Sequence, residues 1–230
     1  MADKYPDKGR SVVMAKVKEL QEYGEVMTQL IEWNPRNWEV SKLAMFGTQI
    51  SKFANRCQIV GGTHVIRRGE VIEFSETMED VFIGAMIFGY GPVGYGPSRV
   101  GRVIRENPDL IEKLNNQYEA AAKGPTPSWN SHTNQNKVKY FGPAFATKFA
   151  YFAARHQKAK GEVPLIADLN TSWAMWWLAE IPRSVEQGEG YFAYVDLAHN
   201  WGTELGGDYG VDEIERAIFK LGQDMSKKLD

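Results

Sequence analysis

The sequence has very little cysteine. Cys57 is the single cysteine among 230 residues, which excludes an internal disulfide and an iron–sulfur cluster held by four cysteines of this chain. Histidine is also scarce, and the spacing of His64, His132, His156 and His199 is not typical of a metal site. We therefore expect no catalytic metal and a reducing, cytoplasmic environment.

Long hydrophobic runs are missing as well. The longest strongly apolar stretch, Val81 to Phe88, is far shorter than the ~20 residues that a membrane-spanning helix needs. Residues 1–10 are polar and charged, unlike a secretory signal. With 43% apolar residues, the chain can still bury a substantial core. We expect a soluble globular protein, a monomer without a membrane partner.

Acidic residues are absent from one long segment. Residues 120–161 contain no Asp or Glu, although 29 acidic residues in a chain of 230 predict about five there. Seven basic residues give this segment a charge of +7, while the rest of the chain carries −9. The net charge of −2 does not by itself favour nucleic acid. The local excess indicates a surface for a polyanion or, alternatively, a solvated basic helix face.

Hydrophobic periodicity predicts a mainly α-helical fold with a small β-hairpin. Two short β-rich runs within residues 64–74, around Arg68-Gly69, predict that hairpin. We expect one unit with two helical lobes, approximately residues 1–108 and 109–230. The predicted helices span 11–33 with an interruption at Gly24, 38–46, 50–57, 77–88, Ser98 to just before Pro108, 109–122, 143–156, 169–179, 189–201 and 211–221.

The segment from Lys137 to Phe152 has the pattern of two helices joined by a tight corner. A short helix is expected to end at Gly142-Pro143, and Pro143 occupies the first turn of the next helix, where proline is favoured. Glycine allows another surface to approach closely, and the N–H groups at a helix start favour a phosphate. Lys139 and its neighbours add positive charge. The pattern favours a phosphate-binding hairpin; the alternative is a plain helix–helix turn.

These residues resemble a known superfamily. The run Tyr140-Phe-Gly-Pro-Ala-Phe-Ala-Thr-Lys-Phe149, followed by Pro164-Leu-Ile-Ala-Asp168 and a Trp-rich helix, resembles the helix-hairpin-helix DNA glycosylases, in particular bacterial proteins with the 8-oxoguanine glycosylase fold. The resemblance covers about residues 81–222. It implies that fold, double-stranded DNA as the partner, and no cofactor other than a monovalent cation that is often bound at the hairpin. The expected DNA-binding residues are Lys137, Lys139, Tyr140, Gly142, Pro143, Ala144 and Arg99.

The resemblance also implies two candidate catalytic residues, Asp168 and Lys148. Asp168 matches the superfamily's aspartate, which follows the hairpin and begins the next helix. Such a carboxylate stabilises the positive charge that develops when an N-glycosidic bond breaks, and it can orient water. The alternative is an ordinary helix N-cap. The superfamily's nucleophilic lysine corresponds to Ala144 here, with Lys148 one turn further on. This departure predicts a monofunctional enzyme that leaves an abasic site, with Lys148 contacting the base or a phosphate.

Aromatic and polar residues supply candidates for the base wedge and the base pocket. Tyr90 and Tyr95 fall in a Gly/Pro/Tyr loop where, by resemblance, related enzymes push residues into the base stack; core packing is the alternative. Trp173 and Asn170 follow closely after Asp168 and are candidates to line the pocket. However, the shared helix face of Trp173, Trp176 and Trp177 is typical of burial.

The sequence leaves the substrate base open. The fold group implies 8-oxoguanine, whereas some relatives in phage defence imply a glucosylated hydroxymethylcytosine of viral DNA. The alternative from another functional class is a non-catalytic helix-hairpin-helix module that only binds DNA. The variant Asp168→Asn separates the two classes, because an enzyme would lose excision and keep its DNA affinity.

Overall fold

The computed structural model describes residues 9–134, 136–181 and 184–227. These residues form helices and one small antiparallel sheet, which confirms the mainly α-helical prediction. They belong to two compact units. The terminal unit consists of the residues up to Val26 together with those from Leu165 onward, and the central unit consists of Met27–Pro164. Within the described residues, no helix is long and apolar enough to cross a membrane.

The central unit begins with a three-stranded sheet and continues with helices. Short 3-10 turns occur at Val26–Thr28, where the chain passes from the terminal unit into the central unit, and at Ser41–Phe46. The elements in chain order are β1 (Leu30–Trp33), α2 (Pro35–Trp38), α3 (Gly47–Arg56), β2 (Gln58–Val60), β3 (Thr63–Arg67), α4 (Arg68–Phe74), α5 (Met78–Tyr90), α6 (Gly96–Glu106), α7 (Leu110–Ala121), α8 (Pro125–Thr133) and α9 (Pro143–His156).

The sheet corrects the sequence predictions for residues 22–74. β3 pairs with both β1 and β2, and the β2–β3 hairpin turns at Gly61-Gly62, where both φ angles are positive. The hairpin predicted around Arg68-Gly69 is therefore wrong. Those residues start α4, because Glu70 accepts the Arg67 N–H at 2.8 Å and the first helical turn is thereby capped. The predicted first helix is also too long, since its last residues form β1.

Helix α5 is the centre of the central unit. Residues Val81 to Phe88 are buried on every side of this helix, which packs against α3, α4, α6, α7 and α9. Its N-cap is Thr77, with the Asp80 N–H donating to the Thr77 hydroxyl at 3.2 Å. The predicted lobe boundary at residue 108 falls inside this unit, because α5 holds α6, α7 and α9 together.

Two helix starts in the central unit differ from the predictions. Helix α8 was not predicted, because Pro125 and Pro127 argue against a helix unless they lie in its first turn, as they do here. Helix α6 begins at Gly96 with Pro97 in the first turn, so the predicted helix start at Ser98 is two residues too late.

The described residues of the terminal unit form four helices. They are α1 (Arg10–Gln21), α10 (Leu169–Ala179), α11 (Gly188–Gly202) and α12 (Gly210–Ser226). Helix α12 packs against the other three. At Gly222 the approach of α12 to α10 is so close that a Cβ atom would collide with the Asn170 carbonyl group. The first turn of α10 is therefore held by direct backbone contact.

Candidate functional site

The predicted phosphate-binding corner lies in an exposed loop of the central unit. Helix α8 ends at Thr133 and α9 begins at Pro143, so the short helix expected directly before the corner is not formed. Residues 138–142 are called the hairpin loop below. Val138 and Phe141 are buried, whereas Lys139, Tyr140 and Gly142 are exposed. The Phe141 N–H donates to the Val138 carbonyl at 3.3 Å, which closes the loop and directs its middle residues outward.

The Gly142-Pro143 corner has the predicted form of a helix start. Gly142 is the N-cap of α9, and its carbonyl accepts the N–H groups of Phe145 at 3.0 Å and Ala146 at 2.9 Å. Pro143 has no N–H, so the first-turn amide that helix geometry leaves without an intrahelical acceptor is that of Ala144. Together with the helix dipole, this arrangement favours an anion at the corner.

Nothing in the described fold requires glycine at position 142. Its φ of −72° and ψ of 170° are open to any residue, and a Cβ atom there would have no heavy atom within 4 Å. By contrast, a Cβ at Gly89 would lie 2.8 Å from Cε1 of Phe145. Glycine at the corner therefore leaves an open face that suits close approach by another molecule.

Helix α6 contributes basic side chains next to the hairpin loop. The Arg102 guanidinium lies 3.5 Å from the centre of the Tyr140 ring, and Arg99 lies 5.8 Å from the Tyr95 ring. All four side chains are exposed, and Lys137 and Lys139 are exposed on the loop side. The structure thus places Arg102 of α6 against the hairpin loop and exposes the predicted DNA-binding side chains of Lys137, Lys139, Tyr140 and Arg99. It adds Arg102, which the sequence analysis did not select.

Tyr90, Tyr95 and Lys148 lie together around the first turns of α9. Tyr90 stacks on Phe145 with ring centres 4.1 Å apart, and burial raises the pKa of Tyr90 to about 12. Tyr95 meets Tyr90 edge-on at 6.0 Å and is 59% exposed. The Lys148 side chain passes Gly89, where a Cβ would lie 3.0 Å from Cδ of Lys148. Of the two predicted wedge residues, Tyr95 is therefore the one that projects outward.

The Lys148 amine is not extended into solvent. It is half-buried, lies 5.6 Å from the centre of the Phe145 ring and donates to the Ala144 carbonyl at 3.3 Å. A lysine folded back along its own helix in this way keeps its amine beside the first turns of α9.

Asp168 is the N-cap of α10 in the terminal unit. The backbone N–H and the hydroxyl of Thr171 donate to its Oδ1 atom at 3.2 Å and 3.3 Å. Its side chain is half-buried. The predicted alternative of an N-cap is therefore correct as geometry, and the cap fixes the direction of the carboxylate without removing it from solvent.

The segment before Asp168 is fixed from behind by α11. The Tyr194 hydroxyl donates to the Ile166 carbonyl at 3.0 Å, and the Leu165 N–H donates to the Tyr191 hydroxyl at 3.2 Å. Both tyrosines are fully buried, and burial raises the pKa of Tyr191. The sequence did not reveal this role, because these contacts join residues 26 and 28 positions apart.

Helix α10 exposes the aromatic face that its sequence predicts to be buried. Trp173, Trp176 and Trp177 are between 45% and 58% exposed. The opposite face of α10, with Ala174, Met175 and Leu178, is buried instead. Asn170 is half-buried and lies on the side of α10 that carries the tryptophans. Trp173 and Asn170 remain predicted pocket residues.

Among the described residues, no three His, Cys, Asp or Glu side chains lie close enough together to bind a metal.

A family model described as "Putative 8-oxoguanine DNA glycosylase OGG-like protein" matches residues 24–219. The matched region includes the hairpin loop and Asp168. Comparison with curated proteins and with solved structures gives no match.

Proposed function

The chain belongs to this family of OGG-like proteins, and from that premise we propose that it is a DNA glycosylase that excises a modified base from double-stranded DNA. The observation that carries the proposal is the Gly142 corner. It combines an open glycine, a helix start and exposed basic side chains, and the fold itself requires no glycine there.

The hairpin loop is proposed to bind the DNA backbone. The Ala144 N–H and the α9 dipole favour a phosphate oxygen, and Lys137, Lys139 and Arg99 neutralise neighbouring phosphates. Pro143 and Gly142 permit close approach because neither presents a bulky side chain. A contact of this kind carries no sequence information, so it suits an enzyme that searches DNA for one altered base.

Asp168 is proposed to act on the sugar of the extruded nucleotide. As the N-glycosidic bond breaks, its electron pair leaves with the base and positive charge develops at C1′. The carboxylate stabilises that charge, and the oxygen of a water molecule then bonds to C1′. One proton of the water passes to the solvent or to the departing base. The product is an abasic site, and this route is monofunctional.

Tyr95 is proposed as the residue that fills the gap in the base stack. It is exposed, and the packed Tyr90–Phe145 pair supports it from behind. Base–aromatic stacking is worth about 1–3 kcal/mol, which offsets part of the cost of unstacking. Trp173 and Asn170 are proposed to face the extruded base.

A second mode of action is favoured by one observation, the position of the Lys148 amine. An amine beside the first turns of α9 has the chemistry to attack C1′, expel the base and form a Schiff base that leads to strand cleavage. Borohydride would reduce that Schiff base to a stable protein–DNA adduct. An adduct with wild-type protein that is absent with Lys148→Gln would contradict the monofunctional proposal.

A monovalent cation is proposed to bind main-chain carbonyl groups of the hairpin loop. The carbonyl of Val138 accepts one internal hydrogen bond, from the Phe141 N–H, and its oxygen has a second lone pair available to a cation. The expected result is a higher affinity for duplex DNA in potassium than in tetramethylammonium salt at equal ionic strength. Equal affinities would contradict this site.

The substrate class is proposed to be either 8-oxoguanine or a glucosylated hydroxymethylcytosine. The test is incubation with duplexes that carry each base, and with glucosylated phage DNA. Hot alkali then cleaves at abasic sites, and mass spectrometry identifies the released base. Tight binding without a released base from any of these substrates would support the alternative of a non-catalytic DNA-binding module.

A further inference from the structure

Asn107 makes an unusual set of contacts with the hairpin loop. Asn107 is the residue directly after α6, and it is 2% exposed. Its Oδ1 atom accepts the Lys139 N–H at 2.8 Å, and its Nδ2 group donates to the Lys139 carbonyl at 3.1 Å and to the Val103 carbonyl at 2.7 Å. Because a buried amide needs partners for both its ends, only this orientation of Asn107 satisfies all three bonds.

The next loop residue has a backbone conformation that needs support. Tyr140 has a φ of 63°, which costs a residue with a side chain roughly 1–2 kcal/mol. Two contacts from α6 oppose this cost, since Asn107 holds both peptide groups that flank the Lys139 Cα atom and Arg102 lies against the Tyr140 ring. The loop shape is therefore held from α6 in addition to the loop's own Phe141–Val138 hydrogen bond.

We propose that Asn107, assisted by Arg102, is a positioning residue that fixes the hairpin loop in its DNA-binding shape before DNA arrives. This inference rests on the proposed function of the loop. An unclamped loop would have to be ordered during binding, and each ordered residue would reduce the affinity. Asn107 is buried and does not itself contact DNA; its effect is transmitted through Lys139 and Tyr140.

The main test compares Asn107→Ala with the control Asn116→Ala. Asn116 is an exposed residue whose side chain donates a hydrogen bond to Asn136, shortly before the hairpin loop. Well below the unfolding temperature, Asn107→Ala should weaken duplex binding about 5- to 10-fold, as expected when several loop residues lose their preorganisation. The single-turnover excision rate at saturating protein should change little, and the Lys139 amide should exchange faster without DNA. Asn116→Ala should match the wild type.

A second variant avoids the risk that a buried substitution disturbs folding. Arg102→Lys keeps the charge on the surface but loses the planar stack on Tyr140. Its duplex affinity should fall, while the slope of affinity against salt concentration stays unchanged because the number of phosphate contacts is the same.

Two results would overturn the inference. One is wild-type affinity in both folded variants. The other is a fall in the single-turnover excision rate of Asn107→Ala at saturating protein that matches its loss of folded protein. That result is expected for an asparagine with a merely structural role. The variant Lys139→Ala separates this failure from failure of the proposed function. If Lys139→Ala leaves affinity and salt slope unchanged, the loop is not the DNA contact and both proposals fail; if it reduces them while Asn107→Ala does not, only the positioning role fails.

Discussion

Gly89 and Gly142 differ in whether the fold itself requires a glycine at that position. Gly89 has no room for a Cβ because Phe145 and Lys148 pack against it, whereas Gly142 has open space and an ordinary backbone conformation. The first glycine serves packing, and the second lies where the proposed DNA contact would come close.

The first prediction concerns this contrast. Gly142→Val should change the free energy of unfolding by no more than about 1 kcal/mol, the usual effect of a poor N-cap, yet it should weaken duplex binding at least tenfold. Gly89→Ala should show the opposite pattern. It should lower the free energy of unfolding because its Cβ disturbs Phe145, and it should leave duplex binding by the folded protein nearly unchanged. Denaturant titration and fluorescence anisotropy measure the two quantities. If Gly142→Val bound duplex DNA like the wild type, the open face would not be the DNA contact.

At the residue scale, local chemistry revealed part of the candidate site. The Gly-Pro corner and Asp168 at a helix start are readable because the signal lies within a few neighbouring positions. The residues that hold them are not, because Asn107 reaches Lys139 across 32 positions and Tyr194 reaches Ile166 across 28. A sequence without its fold contains no sign that these residues meet.

At the element scale, helices with strong local signals were predicted well. Helix α9 begins at Pro143 and ends at His156 as expected, because proline in the first turn and periodic phenylalanines agree. Strand β1 was missed because its pairing with β3 is not local. The exposed tryptophan face of α10 was missed for another reason. That helix is apolar on two faces, and periodicity does not say which of them is buried.

The second prediction concerns the contact between α10 and α12. Gly222→Ala should lower the free energy of unfolding by about 1–3 kcal/mol, the range for overpacking, because its Cβ collides with the Asn170 backbone. Excision should fall further than the loss of folded protein explains, since Asp168 caps the first turn of α10. The control is Gln223→Ala, the next residue of α12, whose side chain is partly exposed. Stability equal to the wild type in Gly222→Ala would contradict this account of the packing.

At the scale of the whole molecule, one buried histidine links stability to pH. His132 is 7% exposed and lies 3.3 Å through Nδ1 from the Ser128 carbonyl. Burial lowers its pKa from 6.5 to about 4. The fold therefore prefers the neutral ring. The contribution of His132 to the free energy of unfolding is complete above pH 6.5 and is lost as the pH falls from about 6.5 to about 4.

The third prediction follows from this sign. The His132 contribution to wild-type stability should fall by at most about 3 kcal/mol across that window, and His132→Phe should lack this part of the pH dependence. Urea titrations between pH 7 and pH 4 of both proteins give the difference, in which the titration of the carboxylates cancels. Parallel curves for the two proteins would show that His132 is not buried in its neutral form.

The central claim, that this OGG-like chain uses Asp168 to excise a base, is tested most directly by single-turnover excision with Asp168→Asn. Asparagine can still cap α10, so the variant should stay folded and bind duplex DNA with an affinity close to that of the wild type. The account predicts that wild-type protein releases free base and that Asp168→Asn releases it at least 100-fold more slowly, as when one group that stabilises transition-state charge is removed. Equal release of free base by both proteins would contradict the catalytic role of Asp168, and no release by either would contradict the glycosylase itself.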